Sequence, residues 1–299
     1  MTPRVNQINI ILHDQKHDQK RVQLDKVVIP NPFEQIEKKL TGLVGLDFIY
    51  DQMVEIYALI EINKRRQSAN LKVEPQTLHM LFKGNPGTGK TTVARLLAKW
   101  FVELGVLAEQ KVIEVDRADL VGEYIGQTAH KTRDLIKRAQ GGVLFIDEAY
   151  SLARGGTKDF GKEAIDMLVT HMDNHQQSFV LILAGYPKQM DYFLKTNPGL
   201  RSRFPFIIEF KDYDADQLLA IAKQMVAKRD YILTKEAEFK LFHLIKKKID
   251  LESNVNFSNG RFVRNLVEKI IRNQSIRLVK QQVYDGDILV LLTADDILT

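Results

Sequence analysis

The chain has no cysteine. Disulfide frameworks, thiolate zinc sites and cysteine nucleophiles are therefore excluded, and a reducing compartment is compatible with it. Long hydrophobic runs are also missing. A membrane-spanning helix needs about 18 or more apolar residues in succession; the best run, Phe179 to Ala184, is short and reads as a strand. The start, Met1-Thr2-Pro3-Arg4-Val5-Asn6-Gln7, lacks the apolar stretch of a signal peptide, so the cytoplasm is the expected location and no membrane partner is expected. A net charge of +5 and a pI near 9.1 invite a nucleic-acid reading. The distribution argues against it, because from Asp212 to the end 14 Lys+Arg face 13 Asp+Glu. Lys246-Lys247-Lys248 then reads as a solvated helix face. No serine elbow or H-E-x-x-H motif is present, so no peptidase chemistry is expected in this chain.

What remains, 299 residues with 44% hydrophobic and 27% charged, is the composition of a globular protein large enough for a main domain and a smaller attachment. Residues 1–32 read as an appendage in which Gln7 to Leu12 could pair as a short strand. The repeat His13-Asp14-Gln15-Lys16, His17-Asp18-Gln19-Lys20 reads as a solvated loop, since two histidines without a further ligand make no metal site. From residue 33 to 211, helical periodicity over Phe33–Leu40 and Leu46–Arg66 gives way to alternation. Strands are expected at Leu78–Lys83, Val112–Val115, Val143–Ile146, Phe179–Ala184 and Ile207–Phe210. Helices are expected at Thr91–Leu104, Thr128–Ala139 and Glu163–Met172. Strands alternating with helices of this length imply an α/β, doubly wound parallel sheet covered on both faces. From 212 to 299 the pattern is helices only, Asp214–Arg229, Lys235–Ile249 and Phe262–Lys280, which predicts a small all-α lid.

Between the first strand and its helix lies Gly84-Asn85-Pro86-Gly87-Thr88-Gly89-Lys90-Thr91, which fits G-x-x-x-x-G-K-[ST] at every position. The glycines let backbone N–H groups turn around phosphate oxygens, and the helix N-terminus adds partial positive charge. Lys90 is expected to hold the β- and γ-phosphates of ATP, and the Thr91 hydroxyl to ligate Mg²⁺; Thr92 follows in the same turn. The strand Val143-Leu144-Phe145-Ile146 then delivers Asp147 and Glu148 to the same end of the sheet. Asp147 suits the metal shell, and Glu148 suits polarising an attacking water, which favours hydrolysis over transfer to another acceptor.

Together these residues resemble an AAA+ ATPase, from about Glu34 to Leu278. The resemblance implies further roles. Leu43-Val44-Gly45-Leu46 would contact adenine, with Val44 and Gly45 as its binding residues. Asn197 to Phe204 would supply an arginine finger to a neighbouring copy, Arg203 first and Arg201 as the alternate. Asn259-Gly260-Arg261-Phe262-Val263-Arg264 would open the lid helix, placing Arg261 and then Arg264 near the nucleotide. Tyr124-Ile125-Gly126 resembles the tip of a pore loop that grips polypeptide through apolar and backbone contacts. The stretches Phe82–Gly87, Asp119–Gly126 and Phe145–Leu152 narrow the resemblance to the CbbX / stage V sporulation protein K subfamily. That implies a ring-forming, ATP-hydrolysing protein remodeller, a hexamer with a protein substrate, chaperone-like and acting in sporulation in the mother-cell cytoplasm. A nucleic-acid-stimulated motor and a slow nucleotide-gated scaffold are the alternatives. One position departs from the family: after Val180–Ala184 come Gly185-Tyr186-Pro187, where relatives often place a polar sensor-1 residue such as asparagine. Tyr186 is the nearest polar candidate, and the sensor is left unassigned.

Overall fold

The computed structural model describes residues 32–74, 76–154, 159–174, 178–252, 257–282 and 285–298; the expected strand at Gln7–Leu12 and the histidine repeat lie outside them. The chain opens with α1 (Pro32–Leu40) and α2 (Ile49–Ser68). The sheet unit follows as β1 (Met80–Gly84), α3 (Lys90–Glu103), β2 (Val112–Val115), α4 (Arg117–Leu120), α5 (Gln127–Ala139) and β3 (Val143–Ile146). A 3-10 turn at Ala149–Ala153 leads to α6 (Gly161–Asn174), β4 (Val180–Gly185), α7 (Pro187–Thr196), α8 (Pro198–Arg201) and β5 (Phe206–Phe210). All five strands are parallel, in the order β2-β3-β4-β1-β5, with Met80 opposite both Ile182 and Phe206.

Strand sequence explains strand position. The central strands β1, β3 and β4 are apolar or glycine at nearly every position and are buried on both faces, whereas the edge strand β5 alternates buried and exposed. The period of two then sorts the core into two layers. Met80, Phe82, Val143, Phe145 and Ile182 face the layer of α2 and α3, while Leu81, Leu144, Ile146, Leu181 and Leu183 face that of α5, α6 and α7. Phe82 anchors the first layer, fully buried between Phe145 and Phe210 with ring centroids 6.4 and 5.0 Å away. Truncating it to alanine would cost about 3–5 kcal/mol, a large share of a domain's stability.

The lid comprises α9 (Ala215–Ala227), β6 (Ile232–Leu233), α10 (Lys235–Glu252), α11 (Asn259–Gln281), α12 (Gly286–Val290) and β7 (Leu291–Leu292). It is helical as expected, with one addition: the chain end returns to pair β7 in parallel with β6. Two residues per strand are too few to leave a periodic signature. Sheet and lid share one apolar layer, since Leu218, Val263 and Val267 belong to the same buried cluster as Phe82.

Candidate active site

The C-terminal ends of β1, β3 and β4 open on one cleft, where the strand order reverses and α/β sheets bind ligands. It is a cavity of about 620 Å³ lined by Pro86, Gly87, Lys90, Thr91, Thr92 and Val44, with Asp147 and Glu148 opposite and Arg261 and Arg264 from α11. Gly84 and Gly89 also line it, whereas Asn85, Thr88 and Gly45 do not.

The loop has a physical reason for its glycines at two positions. Gly87 has φ +73°, and a Cβ there would stand 2.4 Å from the Ser258 carbonyl oxygen and 2.6 Å from the Arg261 nitrogen. Gly89 has φ +96° and turns the chain into α3. An L side chain is strained at both. Lys90 Nζ donates to the carbonyls of Gly84 and Asn85, 2.8 Å each. Burial lowers its pKa, and Asp147 opposes that shift. Thr88 is buried, and its hydroxyl donates to the Asn85 carbonyl at 2.8 Å.

Asn85 turns away from the cleft toward the lid, where Asp212 and Tyr213, which no sequence motif marked, meet it together with Asn259 of the lid-helix motif. Asn85 Nδ2 donates to both oxygens of Asp212, at 2.8 and 3.1 Å. Asn259 Nδ2 donates to the same carboxylate at 2.7 Å, and its Oδ1 accepts from the Tyr213 N–H at 2.9 Å. The Tyr213 hydroxyl donates to the Thr88 carbonyl at 3.0 Å, and burial pushes that phenol up to about 12. The Gly260 N–H donates to the Gly87 carbonyl at 3.1 Å. Loop and lid are thus joined directly, and Gly45 packs behind them against Tyr213 and Gln217.

Glu148 follows β3 with φ +47°, ψ +41°, a left-handed conformation that costs a non-glycine residue about 1–3 kcal/mol. The 3-10 turn holds it there through Ser151 N–H to Glu148 O, 2.7 Å. Ser151 O in turn accepts from Arg117 Nη1 at 2.6 Å, and Arg117 Nη2 reaches both Asp159 oxygens at 2.7 Å. Arg117 opens α4, the helix that leads into the 121–126 loop. Glu123 and Gly122 at the base of that loop share a second cavity with Asp147 and Glu148. Its tip is outward: Tyr124 is 67% exposed and Ile125 90%, on a turn closed by Gly126 at φ +83°.

The two candidate finger arginines lie outside the cleft lining. Arg203 is held within the chain, its Nε and Nη2 donating to Asp173 at 2.8 and 2.6 Å. That pairing keeps the Asp173 carboxyl below the usual carboxylate range. Arg201, at the end of α8, is exposed and makes no ion pair among the described residues.

Residues 80–212 match the model of the ATPase family associated with various cellular activities, and residues 214–299 match an AAA lid domain. Stage V sporulation protein K of Bacillus subtilis is 52% identical, over 97% of this chain and 93% of that protein. Protein CbbX of Cereibacter sphaeroides is 44% identical over 82% of this chain and 79% of its own length. The chloroplastic ribulose bisphosphate carboxylase/oxygenase activase of Cyanidioschyzon merolae is 41% identical, over 86% and 87%. Among solved structures, the Thermotoga maritima RuvB Holliday junction branch migration motor superposes with a TM-score of 0.53 at 22% identity, over 84% of this chain and 69% of that one, which bears on fold alone. With the phosphate loop, the paired acids and the lid arginines around one cleft, the chain belongs to the AAA+ ATPases of the CbbX and stage V sporulation protein K type.

Proposed function

We propose that this ATPase is a protein-remodelling motor that works as a nucleotide-dependent ring of its own copies, six by resemblance. In this reading it draws polypeptide past Tyr124, Ile125 and Gly126. The observation that carries the reading is the loop itself. Two large apolar side chains stand in water on a glycine-flanked tip, and the base of the loop adjoins Asp147 and Glu148. An exposed aromatic beside an exposed aliphatic gives the tip apolar area with which to meet a polypeptide. The name of the algal relative, an activase of another enzyme, agrees with a protein substrate. The sporulation relative supports a role in spore formation, which in this reading takes place in the mother-cell cytoplasm. No helix among the described residues is long and apolar enough to cross a membrane.

In the proposed reaction, residues 33–211 bind the nucleotide and 212–299 close over it. Lys90 exchanges the Gly84 and Asn85 carbonyls for β- and γ-phosphate oxygens. Thr91 and Asp147 face one cleft and carry the oxygen donors that Mg²⁺ prefers, so they would hold the cation beside those phosphates, where it supplies charge neutralisation. Glu148 takes the proton of the attacking water as the new P–O bond forms and the bond to the bridging oxygen breaks. Arg261 and Arg264 reach the phosphates from the lid. A neighbouring copy supplies the finger, for which Arg201 has a guanidinium without an ion pair among the described residues and Arg203 would first have to leave Asp173.

The test is the solution mass of Glu148→Gln with Mg²⁺ and ATP. A six-subunit species that dissolves without nucleotide is the expected result. A stable monomer would remove finger and pore together.

A further inference from the structure

A carboxylate that activates water must be aimed, and the backbone of Glu148 does not aim its side chain. Tyr150 stands beside that side chain, and Gly185 at the end of β4, Tyr186 and Arg154 pack around its ring. Tyr150, two positions along the 3-10 turn, is buried, only 5% exposed, with its hydroxyl facing the Glu148 carboxylate. Its ring lies across Gly185, the last residue of β4. A Cβ at Gly185 would stand 2.7 Å from Tyr150 Cδ1 and 2.9 Å from Cε1. Tyr186 flanks the other side, its ring centroid 5.9 Å from that of Tyr150, and the Arg154 guanidinium sits 4.6 Å over the Tyr150 ring.

We infer that Tyr150 is the positioning residue for Glu148: its hydroxyl donates to the carboxylate and holds it toward the cleft, and Gly185 is side-chain-free because the Tyr150 ring, with the Met190 sulfur, occupies that space. The inference rests on Glu148 as the water-activating group and supplies the polar contact that β4, ending in glycine, does not. Packing alone would be served by phenylalanine, since a buried hydroxyl without a partner costs free energy. The phenol behaves accordingly. Burial, and next the Glu148 charge, push it up to about 12, so the proton stays on Tyr150 as the donor of the pair. The ring cannot swing away without losing contacts on three sides, so the donor is fixed before nucleotide arrives.

Tyr150→Phe keeps the ring, and with it the contacts to Gly185, Tyr186 and Arg154, and deletes the donor. The expected result is a fall of about tenfold or more in kcat at saturating ATP. Nucleotide affinity should stay within about twofold and the melting temperature within about 2 °C, as for a change that leaves packing intact. In the Glu148→Gln background the same substitution should leave the slow residual hydrolysis unchanged, because the two side chains act as one unit. Undiminished kcat in Tyr150→Phe would overturn the inference, as would an equal loss in both backgrounds or a loss confined to Tyr186→Phe. Full hydrolysis by Glu148→Gln itself would instead refute the assignment of Glu148, so the two failures are separable.

Discussion

The two glycine-bearing loops of the large domain, 84–91 and 121–126, are built in opposite ways. In the first, the side chains of Asn85, Thr88 and Lys90 all make hydrogen bonds within the chain, and the loop is tied to the lid through Asp212, Asn259 and Tyr213. In the second, backbone groups are tied, by Gly122 N–H to Thr128 Oγ1 at 2.9 Å, Glu123 N–H to Gln127 Oε1 at 3.1 Å and Gln127 N–H to the Tyr124 carbonyl at 3.2 Å, while the side chains of Tyr124 and Ile125 stand in water. The difference follows from what each meets. Phosphoryl transfer rewards groups fixed before the substrate arrives, because orientation and electrostatic placement supply nearly all of the catalysis. A loop that holds many polypeptide sequences gains from apolar and backbone contact with no fixed partner geometry.

The sharpest break in that comparison is inside the cleft. Glu148→Gln should lower ATP hydrolysis by about 10³-fold, within the range for a general base, with ATP still bound. Lys90→Ala should lose binding as well, since the ammonium is the cleft's main counter-charge to the β- and γ-phosphates. Phosphate release and equilibrium nucleotide binding separate the two. If Lys90→Ala bound ATP as wild type does, the tied loop would not be the phosphate site.

The same contrast between tied and untied groups divides the two arginines after α8. Arg201→Ala should cost about 10³-fold or more in hydrolysis under assembling conditions, as a finger does, and leave the melting temperature alone. Arg203→Ala should lower the melting temperature, because it leaves Asp173 and the Gly199 carbonyl without their donor. Stability unchanged in Arg203→Ala, with hydrolysis lost, would reverse the assignment and make Arg203 the finger.

The opposite end of the phosphate-loop strand shows what an untied group costs when it is buried. His79 precedes β1, is fully buried, and accepts the Leu181 N–H on Nδ1 at 2.9 Å, while its Nε2 has no partner among the described residues. Burial lowers its pKa to about 4 from the ordinary 6.5. Above pH 6.5 it is neutral in both folded and unfolded chains and contributes nothing. As the pH falls from 6.5 toward 4 the unfolded chain gains a proton that the folded one refuses, so stability drops by about 3 kcal/mol and then levels off. Denaturant unfolding from pH 7 to 5 checks the upper part of this window, above the range where carboxylates titrate. A flat profile there would mean that His79 is charged or solvated in the fold.

These cases also separate what was legible in the sequence from what was not. The phosphate loop and Asp147-Glu148 are each written in consecutive residues, strand then turn, so local rules reach them; strands β2 and β3 begin and end where periodicity puts them. The ties that hold the cleft are not local. Asp212 is 127 positions from Asn85 and 47 from Asn259, and Arg203 is 30 from Asp173. None of these five residues signals its partner along the chain. Strand β1 starts at Met80, two residues later than its apolar pattern, where the His79 side chain accepts a β4 amide. The β6–β7 pair depends on the chain end folding back over the lid, which two-residue strands cannot announce.

The smallest expected effect on the fold belongs to the exposed loop, and that smallness is its test. Tyr124 adds no buried area to the core, so Tyr124→Ala should shift stability by no more than about 0.5 kcal/mol, the usual bound for exposed positions. ATP binding should stay within about twofold, since no atom of the tip lines the cleft. The extra turnover evoked by an unfolded polypeptide, by contrast, should disappear. Casein-stimulated phosphate release, measured beside nucleotide affinity and melting temperature, reads all three. Stimulation that survives in Tyr124→Ala would mean that the tip is not where polypeptide is held. Loss of stimulation together with ATP affinity would mean that the loop is tied to the cleft after all, through Arg117 in the helix before it and its bond to Ser151 in the turn after Glu148.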